Sequence, residues 1–257
     1  QVVTADVWLP IPNNPKLDPY LGNAPKTTFN REVLRQMNAI PGVALAAITS
    51  ALPATTQAGS NGLTVEGRPV ESFQDLRAEK IRISPDYFKV MQTPLVRGRF
   101  FAESDEDGKE PVAIIDETTA RRYWPDRDPL GRRLRLGQDP TEAEVTQRWM
   151  TVVGIVRNIK NDGLDSDGIP HIYVSIYQSP DRQLSLVLRT SLPSAALQPQ
   201  IRHEIQSIDP GLPVFNVSSM NEVLDRSLGS RRFSADLVGG FAGLALLLAS
   251  IGIYGLL

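Results

Sequence analysis

Only two histidines, His171 and His203, occur in the 257 residues, and cysteine is absent. Disulfides and thiol catalysis are therefore excluded, and a metal site built from several histidines is not available. His203 lies off the apolar stripe of a predicted helix, which favours a solvated position. His171 opens a predicted strand after Pro170, which favours a structural role. A serine triad stays open as an alternative, because folding alone brings its members together.

Two stretches, residues 103–110 and 162–168, are acidic: one has Asp105 and Asp107 before Gly108, and the other has Asp165 and Asp167 before Gly168. A calcium-binding loop needs further oxygen ligands before its glycine and an acid at its last position. Neither stretch meets this requirement, so both are predicted to be solvated turns. The glycine-rich nucleotide motifs, a Gly-x-Ser-x-Gly elbow and a His-Glu-x-x-His sequence are also missing. We expect no metal and no other cofactor.

Six arginines crowd into residues 121–135. Four of them form two adjacent pairs: Arg121, Arg122, Arg132 and Arg133. Such a run is usually a solvated or ion-paired face, and the alternative is a contact with an acidic partner protein or with lipid headgroups. Asp126 and Asp128 lie between the pairs, and the net charge is −2, so nucleic acid is not an expected partner.

The last 21 residues, Leu237 to Leu257, carry no charge and hold five glycines. As a helix this run would be about 31 Å long, close to the hydrocarbon thickness of a bilayer. A buried helix of a soluble protein is the alternative, but such helices are usually shorter and interrupted by polar residues. We expect a transmembrane helix here, in a chain that is part of a longer protein.

Small residues recur along the predicted span. Gly239 and Gly243 form a Gly-x-x-x-Gly pattern, and Gly252 and Gly255 add a second notch. Small residues let another helix approach closely. Glycine is also common in membrane helices, so the pattern favours a helix–helix contact without requiring one. A single anchor has little need of such a face, which favours a protein with several spans.

Two segments of similar pattern lie near opposite ends of the remaining chain. Each has a predicted strand, a helix whose apolar residues are spaced 4, 4 and 3, a Pro-Gly stop and a second strand. The first helix is predicted at residues 29–40 with Thr28 as N-cap, and the second contains Leu197 and Ile208. Coincidence is the alternative, because amphipathic helices commonly show this spacing. We interpret the segments as two βαβ units that share one layered subdomain.

Between the two units, short strand-like runs alternate with Gly and Pro turns, which predicts a mostly β insertion. The fold class is therefore predicted as α+β, with two βαβ units interrupted by a β-rich subdomain and followed by a transmembrane helix. Residues 1–54 and 181–230 would form the two halves of the first subdomain. Residues 55–180 would form the insertion, and residues 231–257 the membrane helix.

Four stretches, taken together in order, carry a family resemblance over nearly the whole chain. They are Tyr87 to Phe101 (YFKVMQTPLVRGRFF), Glu117 to Leu136 (ETTARRYWPDRDPLGRRLRL), Thr151 to Leu164 (TVVGIVRNIKNDGL) and Arg231 to Leu257 (RRFSADLVGGFAGLALLLASIGIYGLL). The chain resembles the MacB/FtsX-like permeases of ABC transporters, and among them those with a large periplasmic core domain. Members often have Gly at Gln92, Asn at Asp116 and Gly-Asp at Arg157-Asn158. We expect these departures to touch turns and surface.

The resemblance implies an arrangement and a set of partners. The two βαβ units would form a membrane-proximal, porter-like subdomain, and the insertion a membrane-distal lobe. Residues 1–230 would lie on the periplasmic side of a bacterial inner membrane. The implied partners are an ABC ATP-binding subunit or domain, a second permease unit (a dimer or an internal duplicate), membrane lipid and a periplasmic adaptor. The implied function is non-catalytic and couples ATP-driven conformational change to export or extraction of a substrate.

Two alternatives belong to other functional classes. One is the ligand-binding input domain of a membrane-anchored sensor, which would be followed by a signalling domain instead of further spans. The other is a membrane-anchored hydrolase, which would need an acid–base or nucleophile site that none of the motifs supplies.

Overall fold

The computed structural model describes residues 1–53, 55, 60–67, 77–136, 148–159 and 170–226, together with 241 and 245. The chain divides into two compact units, residues 1–220 and residues 221–257. The predicted membrane span at 237–257 lies outside the described residues, except for Phe241 and Ala245. Among the residues described, no helix has both the length and the apolar character that crossing a bilayer requires.

The described part of the first unit holds eleven strands and four α-helices. The strands are β1 (Val2–Trp8), β2 (Val43–Thr49), β3 (Ser60–Val65), β4 (Arg77–Ile83), β5 (Leu95–Gly98), β6 (Val112–Asp116), β7 (Arg133–Leu136), β8 (Met150–Val156), β9 (His171–Ser175), β10 (Gln183–Thr190) and β11 (Val214–Ser219). The helices are α1 (Asn23–Ala39), α2 (Tyr87–Met91), α3 (Glu117–Tyr123) and α4 (Ser194–Ile208). The predicted α+β class is confirmed.

One half of the first unit is a four-stranded antiparallel sheet in the order β11-β1-β10-β2. The segment β1-α1-β2 and the segment β10-α4-β11 interleave, because each places one strand between the two strands of the other. Val3, Ala5 and Val7 alternate along β1 and point into a core that the apolar faces of α1 and α4 complete. We call this half the interleaved sheet.

The start of α1 differs from the prediction. The helix begins at Asn23, and Thr28 lies inside it, while Gly22 occupies the N-cap position with a φ of 82°. The first six helical residues lack large apolar side chains, so the spacing pattern alone does not detect them. Pro25 is tolerated there because the amides of a first turn have no acceptor within the helix.

The other half is a closed ring of six strands, which we call the barrel. The strands pair in the order β4, β3, β7, β8, β6 and β9, and β9 pairs back to β4 in parallel. Closure leaves no free sheet edge along the ring. Buried apolar side chains at alternate positions form a single cluster, among them Leu63, Leu134, Met150 and Ile172. The barrel is therefore a packed core and not a channel.

The two halves meet where the end of β2 lies beside the end of β4. Within the described residues, one register pair, Thr49 with Ile83, joins these two strands. On one side of this contact α2 packs against β2 and β10, and Arg189 Nε donates to the carbonyl oxygen of Val90 at 2.8 Å. We call the β2–β4 contact the joint.

The end of α2 generates a prediction about stability. Gln92 ends the helix in the left-handed conformation, with φ 57° and ψ 35°. Glycine adopts this conformation without the clash of a Cβ atom. We expect Gln92→Gly to raise the free energy of unfolding by about 0.5 to 1 kcal/mol in urea denaturation.

Gln200→Gly is the matched control, because Gln200 is exposed inside α4. Glycine there should lower the free energy of unfolding by about 1 kcal/mol. Equal losses for both variants would contradict the left-handed assignment of Gln92.

Candidate functional site

The four arginines singled out in the sequence lie on the outside of the barrel, at the end of α3 and at the start of β7. All four are exposed: Arg121, Arg122, Arg132 and Arg133. Arg133 forms a two-point ion pair with Glu66, with Nε 2.8 Å from Oε2. The hydrogen bond from Arg133 lowers the pKa of the Glu66 carboxyl. Arg133 is therefore engaged within the chain.

Looser side-chain contacts are described for Arg121 and Arg122. The guanidinium of Arg122 lies 6.0 Å from the centre of the Tyr123 ring. Arg121 Nη2 lies 3.5 Å from the hydroxyl of Thr118, at the limit of a hydrogen bond. A contact of these arginines with an acidic partner or with lipid stays a prediction. The span glycines, Gly239, Gly243, Gly252 and Gly255, lie outside the described residues, and their helix–helix contact also stays a prediction.

The acidic stretch at 103–110 is only partly the solvated turn that its sequence predicts. Asp107 is exposed, but Asp105 is buried. The Asp105 carboxylate accepts hydrogen bonds from Arg99 at 2.7 and 2.9 Å and from the amide of Ala102 at 2.8 Å. Burial opposes ionisation, yet these hydrogen bonds lower the pKa of Asp105. Asp105 therefore stabilises the turn through these hydrogen bonds. The other acidic stretch, at 162–168, lies outside the described residues.

His171 lies at the seam of the barrel, which is the pairing of β9 with β4 that closes the ring. It is 2% exposed and is the register partner of Glu79 where β9 meets β4. Its Nδ1 lies 3.1 Å from Asp116 Oδ2, and its Nε2 lies 3.2 Å from Glu79 Oε2. Asp116 also caps α3 by accepting from the amide of Thr119 at 2.7 Å. One imidazole therefore links β4, β6 and β9, as the predicted structural role requires.

The position of Asp116 corrects an expectation about the family departures. Asp116 is 1% exposed, so this departure lies in the interior and not at the surface. The aspartate keeps the capping function that an asparagine would also supply. Its second carboxylate oxygen adds a negative charge beside the buried imidazole.

The protonation state of His171 follows from its surroundings. Burial disfavours the charged ring, but the hydrogen bonds to Asp116 and then to Glu79 outweigh it and raise the pKa of His171 to about 9. Both ring nitrogens therefore donate hydrogen bonds near neutral pH. A general base needs a free nitrogen within reach of a substrate proton. His171 does not meet that requirement, and His203 is exposed on α4 as predicted.

The start of β1 and the end of β11 lie at one end of the interleaved sheet, and the chain enters and leaves the insertion at the other. The amino group of Gln1 donates to the carbonyl oxygen of Thr190 at 3.0 Å, and Val3 pairs with Ser219. The chain thus enters β1 and leaves β11 at the same end of the sheet. The barrel strands follow the end of β2 and precede Gln183, which pairs with Trp8 at the other end.

The raised pKa of His171 predicts a dependence of stability on pH. Because the folded pKa lies above that of an unfolded histidine, the contribution is complete below about pH 6.5 and is lost as pH rises through 9. We expect a loss of up to about 3 kcal/mol in the free energy of unfolding between about pH 6 and about pH 9.5. Urea denaturation at several pH values measures it.

His171→Gln is the control, because glutamine can hydrogen-bond but does not titrate. This variant should be less stable near pH 7, and its stability should vary much less over the same interval. An unchanged slope in the variant would show that His171 is not the titrating group.

Comparison with known proteins identifies a family that matches most of this chain. Residues 5–208 match the family described as MacB-like periplasmic core domain. The chain is 23% identical over 203 residues to the macrolide export ATP-binding/permease protein MacB of Vibrio parahaemolyticus. The match covers 76% of this chain and 29% of that protein. The chain therefore spans less than a third of the length of this relative.

Two solved structures share the fold at low sequence identity. The periplasmic region of MacB from Actinobacillus actinomycetemcomitans has a TM-score of 0.53 and 14% identity, covering 87% of this chain and 91% of that chain. The extracellular domain of the noncanonic ABC-type transporter YknZ from Gram-positive bacteria has a TM-score of 0.52 and 14% identity, covering 83% and 100%. These likenesses concern the fold alone.

Proposed function

The chain belongs to the family of MacB-like periplasmic core domains, and from this premise we propose that it is the extracytoplasmic domain of an ABC transporter permease. In this role it transmits ATP-driven conformational change across the inner membrane to the export or extraction of a substrate. The match of residues 5–208 carries the proposal. ATP hydrolysis would reside in a partner subunit or domain, so the chain itself would not be an enzyme.

The positions of the strand ends support a proposal for which end of the domain lies nearer the membrane. The N-terminus and the end of β11 lie together at one end of the interleaved sheet. If membrane helices precede residue 1 and occupy residues 231–257, both join the domain at this end. We propose that residues 1–54 and 181–230 form the membrane-proximal, porter-like subdomain. Residues 55–180 would then form the membrane-distal lobe.

The proposed partners follow from the same role. They are an ABC ATP-binding subunit or domain, a second permease unit, membrane lipid and a periplasmic adaptor. We propose that the exposed arginines at 121–122 and at 132 contact an acidic partner or lipid headgroups. We propose a bacterial inner membrane location with residues 1–230 on the periplasmic side.

The two alternatives are less well supported. A hydrolase would need an activated nucleophile, but both nitrogens of His171 are held by carboxylates. His203 is exposed on a helix, and no described carboxylate is within ion-pair distance of it. A sensor input domain would share the extracytoplasmic location, but the family match favours a transporter component.

Topology is the experiment that tests the proposal. The chain has no cysteine, so a single Lys109→Cys substitution in an otherwise cysteine-free full-length protein gives a unique label. Lys109 is exposed in the turn after Gly108. We expect a membrane-impermeant maleimide to label this cysteine in intact cells, after permeabilisation of any outer membrane, without lysis of the inner membrane.

Ala113→Cys is the matched control, because Ala113 is fully buried in the barrel. It should label only after denaturation, which shows that the reagent reads the folded domain. Labelling of Lys109→Cys only after inner-membrane lysis would place the domain in the cytoplasm and overturn the permease assignment.

A further inference from the structure

The joint between the interleaved sheet and the barrel is narrow. Thr49 and Ile83 form the one register pair between β2 and β4 among the residues described. Two backbone hydrogen bonds flank it, from Ser50 to Arg82 at 2.9 Å and from Ser84 to Ile48 at 3.0 Å. The hydroxyl oxygens of Ser84 and Ser50 also accept from the amides of Ile48 and Arg82, each at 2.9 Å. These four hydrogen bonds are fewer than the ladder bonds that hold each half together.

One side of the joint is apolar and closely packed. Tyr87 and Phe88 of α2 are buried, and the ring of Phe88 lies 4.8 Å from that of Tyr173 in the barrel, edge to face. α2 also contacts β2 and β10 of the interleaved sheet. The contact of Phe88 with Tyr173 is apolar and not directional, so the barrel can turn slightly against α2 there, while the hydrogen bond of Arg189 to Val90 holds α2 to the interleaved sheet. This side has the properties of a pivot.

The other side of the joint is open, and polar groups cross it. A cleft of about 310 Å³ lies between α1 and the barrel half, lined by Leu34, Ser84 and Asp86 among others. Two residues of α1 contact the loop at 103–107 of the barrel half. Asn23 Nδ2 donates to Asp107 Oδ2 at 3.0 Å, and Arg31 reaches the same loop.

Arg31 makes the ionic contacts between α1 and this loop. Its Nη2 lies 2.9 Å from Glu106 Oε2, and its Nε lies 3.5 Å from Glu103 Oε2. The guanidinium also lies 4.8 Å from the centre of the Tyr177 ring. The side chains of Arg31 and Glu106 remain 43% and 39% exposed. An ion pair this exposed adds little to stability, so it forms and breaks readily.

We propose that Arg31, with Glu103 and Glu106, is a releasable latch. When the latch is closed, it fixes the barrel against the interleaved sheet. When it opens, the barrel rotates about the joint on the apolar surface of α2, and the cleft widens. The inference rests on the contacts of the described residues and does not depend on the proposed function.

Distances between spin labels test the latch. Cysteines introduced at Gln200 on α4 and at Arg127 on the barrel are exposed and unique in this cysteine-free chain. Pulsed electron paramagnetic resonance on the full chain in detergent then reports the arrangement of the two halves. We expect a single narrow distance population in the parent, and Arg31→Ala should broaden it and add a second population.

Arg35→Ala is the matched control. Arg35 lies one turn further along α1 and pairs with Glu32 of the same helix, so its loss removes an exposed ion pair that does not cross the cleft. Its distance distribution should equal that of the parent. An unchanged distribution in Arg31→Ala, or equal broadening in both variants, would overturn the latch.

Salt supplies a second test that needs no substitution at Arg31. In about 1 M salt, where the Debye length is about 3 Å, an exposed ion pair is largely screened. The doubly labelled parent should then develop the second population, and Arg31→Ala should change little further. A parent distribution that salt leaves unchanged would contradict a latch made of exposed charges, even if Arg31→Ala failed to fold.

Discussion

The pairing of β1 with both β10 and β11 is the constraint on which the rest of the structure depends. The first strand lies between two strands from the other end of the first unit, with Val3 opposite both Leu188 and Ser219. The interleaved sheet therefore forms only when β1 meets strands that are far from it in the sequence. This pairing also fixes where the barrel can sit, because the chain leaves β2 and re-enters β10 at the same end. Everything between must fold on that end.

A buried, charged histidine stabilises the strand pair that closes the barrel. Its seam is a parallel pair of β4 and β9, and parallel ladders are slightly weaker than antiparallel ones. His171 bridges Glu79 on one neighbouring strand and Asp116 on the other, so the seam is held by ionic hydrogen bonds as well as by the ladder. Burying charge is costly unless every group is paired. The arrangement thus fixes the register of three strands, since a shift by one residue would leave a buried charge unpaired.

Sequence patterns predict individual helices and strands, but they do not predict which strands pair. The short helix α3 begins directly after Asp116, a residue type that favours the N-cap position. The strands β5 and β7 have only four residues each, too few for a clear alternation, and β7 lies within the arginine-rich run. Gly98 at the end of β5 has a φ of 81°, and a Cβ there would lie 2.2 Å from the carbonyl oxygen of Val153. A glycine at position 98 therefore allows the close approach of β5 to β8. No local pattern indicates that His171 meets Glu79 and Asp116.

The contrast between the two halves and their joint bears on how movement can pass through the molecule. A closed ring filled by interlocking side chains has essentially one low-energy shape, because deforming it would open voids or break ladder bonds. The interleaved sheet is similarly restrained, since each βαβ segment holds the other. The proposed rotation within the first unit would therefore be concentrated where the sheet narrows to the pair of Thr49 and Ile83. A displacement applied at the end where β1 begins would reach the barrel as a rotation about that point and not as a change in the shape of either half.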